Sequence, residues 1–184
     1  NGIGIGVNGS YTGYESGMVM DAIASSRALL SMASSGPARI KHRFFFDILT
    51  DMVDQYAWGQ QDSGAGRGGW RYNWNYGSSD NSACQWGAIG LLAAQDIFGI
   101  NIPAFVRREN QIWLAYSYNP GGYFGYDDNV PEWNWYSVSP SAMVQMAVNG
   151  TKTTNAIWRA TEDDIADRWP IESASSRLYY GQYA

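Results

Sequence analysis

The chain has 184 residues, an apolar fraction of 45% and a formal net charge of −5 at pH 7. This length and composition predict one domain with a buried core and exclude a largely disordered chain. The Lys and Arg residues are scattered, which excludes the basic surface of a nucleic-acid-binding protein, and no apolar run is long enough to predict a membrane span.

Six predicted helices alternate in character along the chain. Three are apolar or small on almost every face, which is typical of buried helices. These buried helices are predicted over residues 16–33, 82–98 and 141–149. Three others have apolar side chains at helical spacings of three and four, with charged residues on the opposite face. These amphipathic helices are predicted over residues 38–58, 103–117 and 153–169, and no stretch shows a sustained strand alternation.

Capping residues mark the ends of several of these helices. Asp80 or Ser79 is predicted to cap the second buried helix, and Gly99 suits the position just past its end. Ser139 followed by Pro140 predicts an N-cap and the first residue of the third buried helix.

A pattern recurs three times, in which a serine is followed by a small residue, a sulfur-containing residue and an apolar helix. The serines are Ser16, Ser82 and Ser141. A glycine-rich aromatic loop precedes each of them, with the sequences GIGIGVNGSY, GRGGWRYNW and GGYFGYDD. Because one helix pair cannot bury its own apolar surface, repeated pairs predict a two-layer helical ring or solenoid with the buried helices inside.

Two long stretches resemble the prenyltransferase/squalene-cyclase repeats of the terpenoid cyclase-like families. They are GGWRYNWNYGSSDNSACQWGAIGLLAA and GGYFGYDDNVPEWNWYSVSPSAMVQMAVNG, in which a Gly-Gly-aromatic loop leads into a serine-bearing inner helix. The ending RLYYGQYA is similar to the tyrosine-rich inner helix of bacterial members of unassigned activity. The resemblance implies an all-α fold, the α/α toroid, which is a ring of inner and outer helix pairs. We therefore expect residues 1–184 to form a single toroid-like domain that is incomplete at both ends.

The catalytic motifs of these families are not matched. The closest stretch to the D-x-D-D acid motif of class II terpene cyclases is 161–164, which begins with Thr161 and lies on a predicted outer helix. The zinc site of protein prenyltransferases needs Asp, Cys and His. Here Cys84 falls two residues late relative to Asp80, and His42 is the single histidine. We predict no metal and no other cofactor, and a buried, inert Cys84 thiol.

Two loops combine acidic and aromatic side chains near the starts of buried helices. Aromatic rings stack on sugars and apolar ligands, and paired carboxylates serve glycoside hydrolysis or bind Ca²⁺. Alternatively, Asp80 caps a helix and 127–129 form an Asx-type turn. The candidate ligand-binding residues are Trp74, Tyr76, Asp80, Tyr126, Asp127, Asp128, Glu132, Trp133 and Trp135.

We interpret the chain as a non-catalytic repeat protein that binds an apolar or glycan ligand, or a protein partner, through an aromatic, acidic concave face. A partial ring leaves apolar inner faces, which favours self-assembly or completion by the remainder of a longer chain. The alternative is an enzyme on the same fold, either an isoprenoid cyclase or a carbohydrate-active enzyme with paired carboxylates. Glycosylation sequons begin at Asn8 and Asn149, which is compatible with an extracellular or periplasmic protein.

Overall fold

A computed structural model describes residues 5–131 and 135–172, with the backbone alone described for 135 and 170–172. These residues form six helices and one short antiparallel hairpin, which confirms the all-α prediction. The elements are α1 (Thr12–Ser25), α2 (Phe45–Gly59), α3 (Asn81–Phe98), α4 (Ala104–Ser117), β1 (Tyr118–Asn119), β2 (Tyr123–Phe124), α5 (Trp135–Val148) and α6 (Ala156–Glu172). None of the described helices combines the length and apolarity that a membrane crossing requires.

The odd-numbered helices pack side by side, with α3 between α1 and α5. We call these three helices the central layer. The even-numbered helices cover it: α2 contacts α1 and α3, α4 contacts α5, and α6 contacts α5 and β2. Central and covering helices therefore alternate along the chain as predicted, and α3 is buried along nearly its whole length. The prediction that α1 is buried on almost every face was wrong, because Met18 and Val19 are 39% and 38% exposed.

The main core lies between α1, α2 and α3, and it is filled by large side chains with no exposed surface. Leu49 and Tyr56 come from α2, Leu91 from α3 and Trp113 from α4, all 0% exposed. A smaller cluster around Phe124 joins the hairpin to α5.

Glycines let α1 approach α3 closely. A Cβ atom on Gly17 would collide with the backbone carbonyl of Trp86, and one on Gly90 would lie 3.0 Å from the Gly17 backbone. The two helices therefore pack backbone to backbone at a point where any larger residue separates them.

A network of buried side-chain amides joins α3, α4 and α5. Asn81 Nδ2 donates to the Gly125 carbonyl at 2.8 Å, and its Oδ1 accepts from Trp113 Nε1 and Gln145 Nε2, both at 2.9 Å. Asn110 Nδ2 in turn donates to Gln145 Oε1 at 3.0 Å. Buried amides are stabilising only when their hydrogen bonds are made, so this network specifies how the three helices are arranged.

The three glycine-rich loops are tied to the helices that follow them in the same way. In each, a loop N–H donates to a side-chain acceptor of the next central-layer helix, at 2.9 Å, 3.1 Å and 3.0 Å. The donor–acceptor pairs are Val7 to Ser16, Trp70 to Cys84 and Phe124 to Ser139. The repeat is thus present, but its equivalent positions are Ser16, Cys84 and Ser139, so Ser16 alone of the three serines aligned from sequence holds this place.

The first two helices are shorter than their sequence pattern indicates. Predictions over 16–33 and 38–58 were wrong at the facing ends, because α1 ends at Ser25 and α2 begins at Phe45. Arg27, at a φ of 54°, takes the left-handed conformation that ends the first helix.

The intervening segment folds back on itself instead. Met32 pairs with Phe44 in an isolated bridge, Ala33 N donates to the Arg43 carbonyl at 3.0 Å, and His42 N donates to the Ala33 carbonyl at 2.8 Å. Apolar residues such as Ile40 keep a helical spacing, but hydrogen bonds across this loop satisfy the backbone in place of a helix.

The third buried helix starts earlier than expected. α5 begins at Trp135, so the prediction that Ser139 caps it and Pro140 opens it was wrong, and Pro140 lies inside the helix. Tyr136 and Val138, 2% and 1% exposed, are buried by packing that holds the first turns helical despite the N–H that Pro140 lacks. The other outer helices match closely, while the ending RLYYGQYA lies outside the described residues.

Replacing Gly17 with Ala tests the close approach of α1 to α3. Ala normally stabilises a helix interior by about 1 kcal/mol relative to Gly. Here the added methyl meets the Trp86 carbonyl, so we expect the free energy of unfolding to fall by about 1–3 kcal/mol. Urea denaturation would measure the change, with exposed Ser25→Ala as the control. A Gly17→Ala variant more stable than the native chain would contradict the close approach of α1 to α3.

Candidate functional site

The loop GGWRYNWNY places a guanidinium group among tyrosine rings. Arg71 Cζ lies 5.3 Å from the Tyr72 ring centre, 5.9 Å from that of Tyr126 and 6.0 Å from that of Tyr76. These are cation–π distances. We call Arg71, its three tyrosines and the carboxylates Asp80 and Asp127 the arginine–tyrosine cluster.

Two carboxylates flank Arg71 on different loops. Asp80 Oδ2 lies 3.5 Å from Arg71 Nε, and Asp127 Oδ2 lies 3.7 Å from Nη1. The Asp80 side chain is 0% exposed, whereas that of Asp127 is 44% exposed. Partial burial opposes the charge of Arg71, but Asp80, the tyrosines and Asp127 outweigh it and raise the pKa of the guanidinium. Arg71 therefore links the loop before α3 to the loop before α5.

Asp80 is the N-cap of α3, as the sequence predicts. Its Oδ1 accepts from Ala83 N at 2.7 Å and from Ser82 Oγ at 2.8 Å. Burial raises the pKa of Asp80 above its ordinary value, and these hydrogen bonds and Arg71 only partly offset that effect. Burial therefore destabilises the ionised form of Asp80 relative to its protonated form.

Phenol hydroxyls continue the cluster toward α1. The Tyr72 and Tyr126 hydroxyls are hydrogen-bonded at 2.8 Å, and the Tyr14 hydroxyl is hydrogen-bonded to Ser82 Oγ. Burial, followed by the charge of Asp80, raises the pKa of Tyr126. This phenol stays protonated and can donate a hydrogen bond at any physiological pH.

A cavity of about 380 Å³ opens beside the cluster, and we call it the tyrosine cleft. It is lined by Tyr11, Tyr14, Glu15, Met18 and Tyr72. The Tyr72 ring packs 5.3 Å from that of Tyr11 and 5.6 Å from that of Tyr14, centre to centre. The cleft is thus a mostly apolar surface at the start of α1, with one carboxylate at its edge.

The candidate residues named from sequence fall into three groups. Tyr76, Asp80, Tyr126 and Asp127 meet at Arg71. Trp74 does not, because its ring packs edge-on against Tyr56 at 4.9 Å and joins the core. Asp128 accepts from Val130 N at 2.6 Å, which is the predicted Asx-type turn. Glu132, Trp133 and the side chain of Trp135 lie outside the described residues.

Sequence reasoning missed the residue at the centre of the cluster. Arg71 is the one charge inside the aromatic run WRYNWNY, and a charge so placed requires carboxylate partners when the loop packs. That signal was available. No comparable signal pointed to Tyr11, Tyr14 or Met18, because their proximity to Tyr72 depends on how α1 packs against α3.

The described residues contain no group of three or more His, Cys, Asp or Glu side chains placed to hold a metal ion. Cys84 is buried, accepts from Trp70 N at 3.1 Å and has a pKa raised by burial, so its thiol stays protonated, as predicted. In stretch 161–164, Thr161 donates to the Ile157 carbonyl at 2.9 Å, and Asp164 accepts from Arg168 at 2.9 Å. This stretch is one turn of α6 rather than an acid site.

Comparison of the chain with protein-family models, curated proteins and solved structures found no match. The arginine–tyrosine cluster and the cavities of the fold are therefore the observations from which a function is inferred.

Replacing Asp80 separates its capping role from its charge. Asp80→Ala removes the cap of α3 and the closest carboxylate to Arg71, so we expect the free energy of unfolding to fall by about 1–3 kcal/mol. Asp80→Asn keeps an oxygen acceptor for Ala83 N, so its free energy of unfolding should fall clearly less than that of Asp80→Ala. Urea denaturation at pH 7 measures both variants, and equal losses would contradict the capping role.

The native chain and Asp80→Asn should respond differently to pH. Because the folded pKa of Asp80 is raised above the ordinary 3.8, the native state holds this proton more tightly than the unfolded chain does. The contribution of Asp80 to stability is therefore highest below that value and falls as pH rises through the folded pKa. We expect the native chain to lose stability relative to Asp80→Asn over this range, and the opposite slope would contradict the assignment.

Proposed function

We propose that this chain is a non-catalytic helical repeat protein that binds an apolar ligand in the tyrosine cleft. The cleft supports this most directly, because Tyr11 and Met18 remain 55% and 39% exposed around a cavity of about 380 Å³. Exposed apolar side chains that border a cavity of this size are typical of small-molecule sites.

The lining favours an apolar molecule with one hydroxyl group. Tyrosine rings and Met18 offer carbon surface, and the single carboxylate, Glu15, can accept one hydrogen bond. An isoprenoid alcohol has this chemistry. The resemblance of the loops to prenyltransferase/squalene-cyclase repeats favours the same class of ligand.

The arginine–tyrosine cluster supports binding rather than glycoside hydrolysis. A glycosidase needs two carboxyl groups that both reach the scissile bond. Asp80 is 0% exposed and caps α3, and both it and Asp127 are paired with Arg71. Their arrangement therefore serves to hold two loops together beside the cleft.

We also propose that the helices form part of an α/α toroid. The alternation of α1, α3 and α5 in one layer with covering helices supports it. Met18 and Val19 of α1 are 39% and 38% exposed. A further helix pair, from a longer chain or a second copy, would extend the layer there.

Titration with farnesol, followed by intrinsic tryptophan and tyrosine fluorescence, tests the proposed ligand class. We expect saturable binding that Met18→Ala and Tyr11→Ala each weaken by about five- to tenfold. Ile112→Ala is the matched control, because Ile112 is likewise 39% exposed but lies on α4. No saturable binding, or an equal loss in Ile112→Ala, would contradict the proposal.

We propose that the protein lies outside the cell or in the periplasm. The two sequons differ in a way that can be tested. Asn8 is exposed, whereas Asn149 Nδ2 donates to Asn110 Oδ1 at 2.8 Å. After expression through a eukaryotic secretory pathway, we expect a glycan at Asn8 alone, because Asn149 is half-buried and its Nδ2 is held against Asn110. Peptide mass mapping of the native chain and of Asn8→Gln and Asn149→Gln would show it, and occupancy of Asn149 would contradict the expectation.

A further inference from the structure

A second cavity lies between the end of α2 and the start of α4. Its volume is about 400 Å³, within the range of small-molecule sites. It shares no lining residue with the tyrosine cleft, although the same α2–α3 loop contributes to both. We call it the outer cavity.

Two exposed aromatic rings border the outer cavity. Trp58, in the last turn of α2, is 66% exposed, and Phe105, in the first turn of α4, is 42% exposed. An indole this exposed leaves a large apolar ring face in water. Placed at the edge of a polar cavity, it offers a flat platform for a ligand that is apolar on one face.

Two buried amides line the same cavity, and each has one polar atom without a hydrogen-bond partner among the described residues. Gln60, 6% exposed, donates from Nε2 to the carbonyls of Gly68 and Val106, both at 2.9 Å, which leaves Oε1 unpaired. Gln61, also 6% exposed, accepts at Oε1 from Gly77 N at 3.0 Å, which leaves Nε2 unpaired. Both unpaired atoms have almost no accessible surface, so each amide is held in place by the hydrogen bonds that its other end makes.

The charges around the outer cavity balance. Arg67 makes a two-bond ion pair with Glu109 at 2.7 Å and 3.2 Å, and Arg108 Nε lies 3.8 Å from Glu109 Oε1. Together with Asp62, these residues give the lining two positive and two negative side chains. A cavity with no net charge disfavours a phosphate or a carboxylate and favours a neutral polar ligand.

We propose that the outer cavity binds a neutral saccharide, with a pyranose ring stacked on Trp58 and its hydroxyl groups bonded to the charged and amide side chains that line the cavity. A pyranose has an apolar C–H face for the indole, and its hydroxyls both donate and accept hydrogen bonds. One such ligand covers the exposed indole ring and offers hydroxyl groups to the polar side chains of the lining. This site is independent of the ligand proposed for the tyrosine cleft.

The test is ligand-observed NMR with four neutral disaccharides, namely cellobiose, maltose, lactose and N,N′-diacetylchitobiose, each at millimolar concentration. We expect at least one to bind, and Trp58→Ala to weaken that binding by about tenfold or more. Trp58→Phe keeps a ring and should restore much of the affinity. The control is Trp169→Ala, because Trp169 is 45% exposed on α6 and does not line the cavity.

Thermal unfolding followed by circular dichroism would verify that each variant folds. Met18→Ala, in the tyrosine cleft, should leave saccharide binding unchanged. Three results would overturn the proposal: no disaccharide binds, binding survives Trp58→Ala, or Trp169→Ala weakens it equally. Saturable binding of inorganic phosphate that Arg108→Ala abolishes would overturn it as well, because it would show an anion site.

Discussion

The position of Asn81 is the constraint on which the rest of the described fold depends. This residue opens α3, and its side-chain amide bonds the Gly125 carbonyl, Trp113 and Gln145, while its N–H donates to the Tyr126 carbonyl at 2.8 Å. One buried amide thereby joins the central helix to α4, to α5 and to the loop before α5. Because each unmade bond would leave a buried polar atom unsatisfied, a shift of any one of these elements is penalised.

The arginine–tyrosine cluster follows from that constraint. Asn81 holds the backbone at Gly125 and Tyr126 against α3, and the adjacent Asp80 caps the same helix turn. Arg71 is then enclosed between Asp80 and Asp127, with tyrosine rings around it. The α2–α3 loop is accordingly more than a connector. Its Tyr72 lines the tyrosine cleft, and five other loop residues line the outer cavity, namely Gln60, Gln61, Asp62, Arg67 and Asn75.

Particular elements show how far sequence reasoning reaches. α3 and α4 match their patterns, because an apolar run bounded by Asp80 and Gly99, and an amphipathic run after Pro103, each carry local end signals. The end of α1 and the start of α5 were mistaken. At the first, cross-loop hydrogen bonds replaced a helix, and at the second, packing extended a helix past Pro140. Trp74 was assigned to the site because it lies among site aromatics in sequence, yet its ring faces the core.

The sequence by itself determined the helical class, the buried character of α3, and a cap for α3 at Ser79 or Asp80, since all three depend on local spacing and local hydrogen bonds. It also indicated that acidic and aromatic loop residues would gather at helix starts. Only the tertiary structure decided that they gather around Arg71, that Tyr11 and Met18 border a cleft, and that Trp58 borders a second, polar cavity. Those juxtapositions join residues distant in sequence, and no periodicity encodes the close approach of α1 to α3 or the meeting of Trp58 and Phe105 at one cavity.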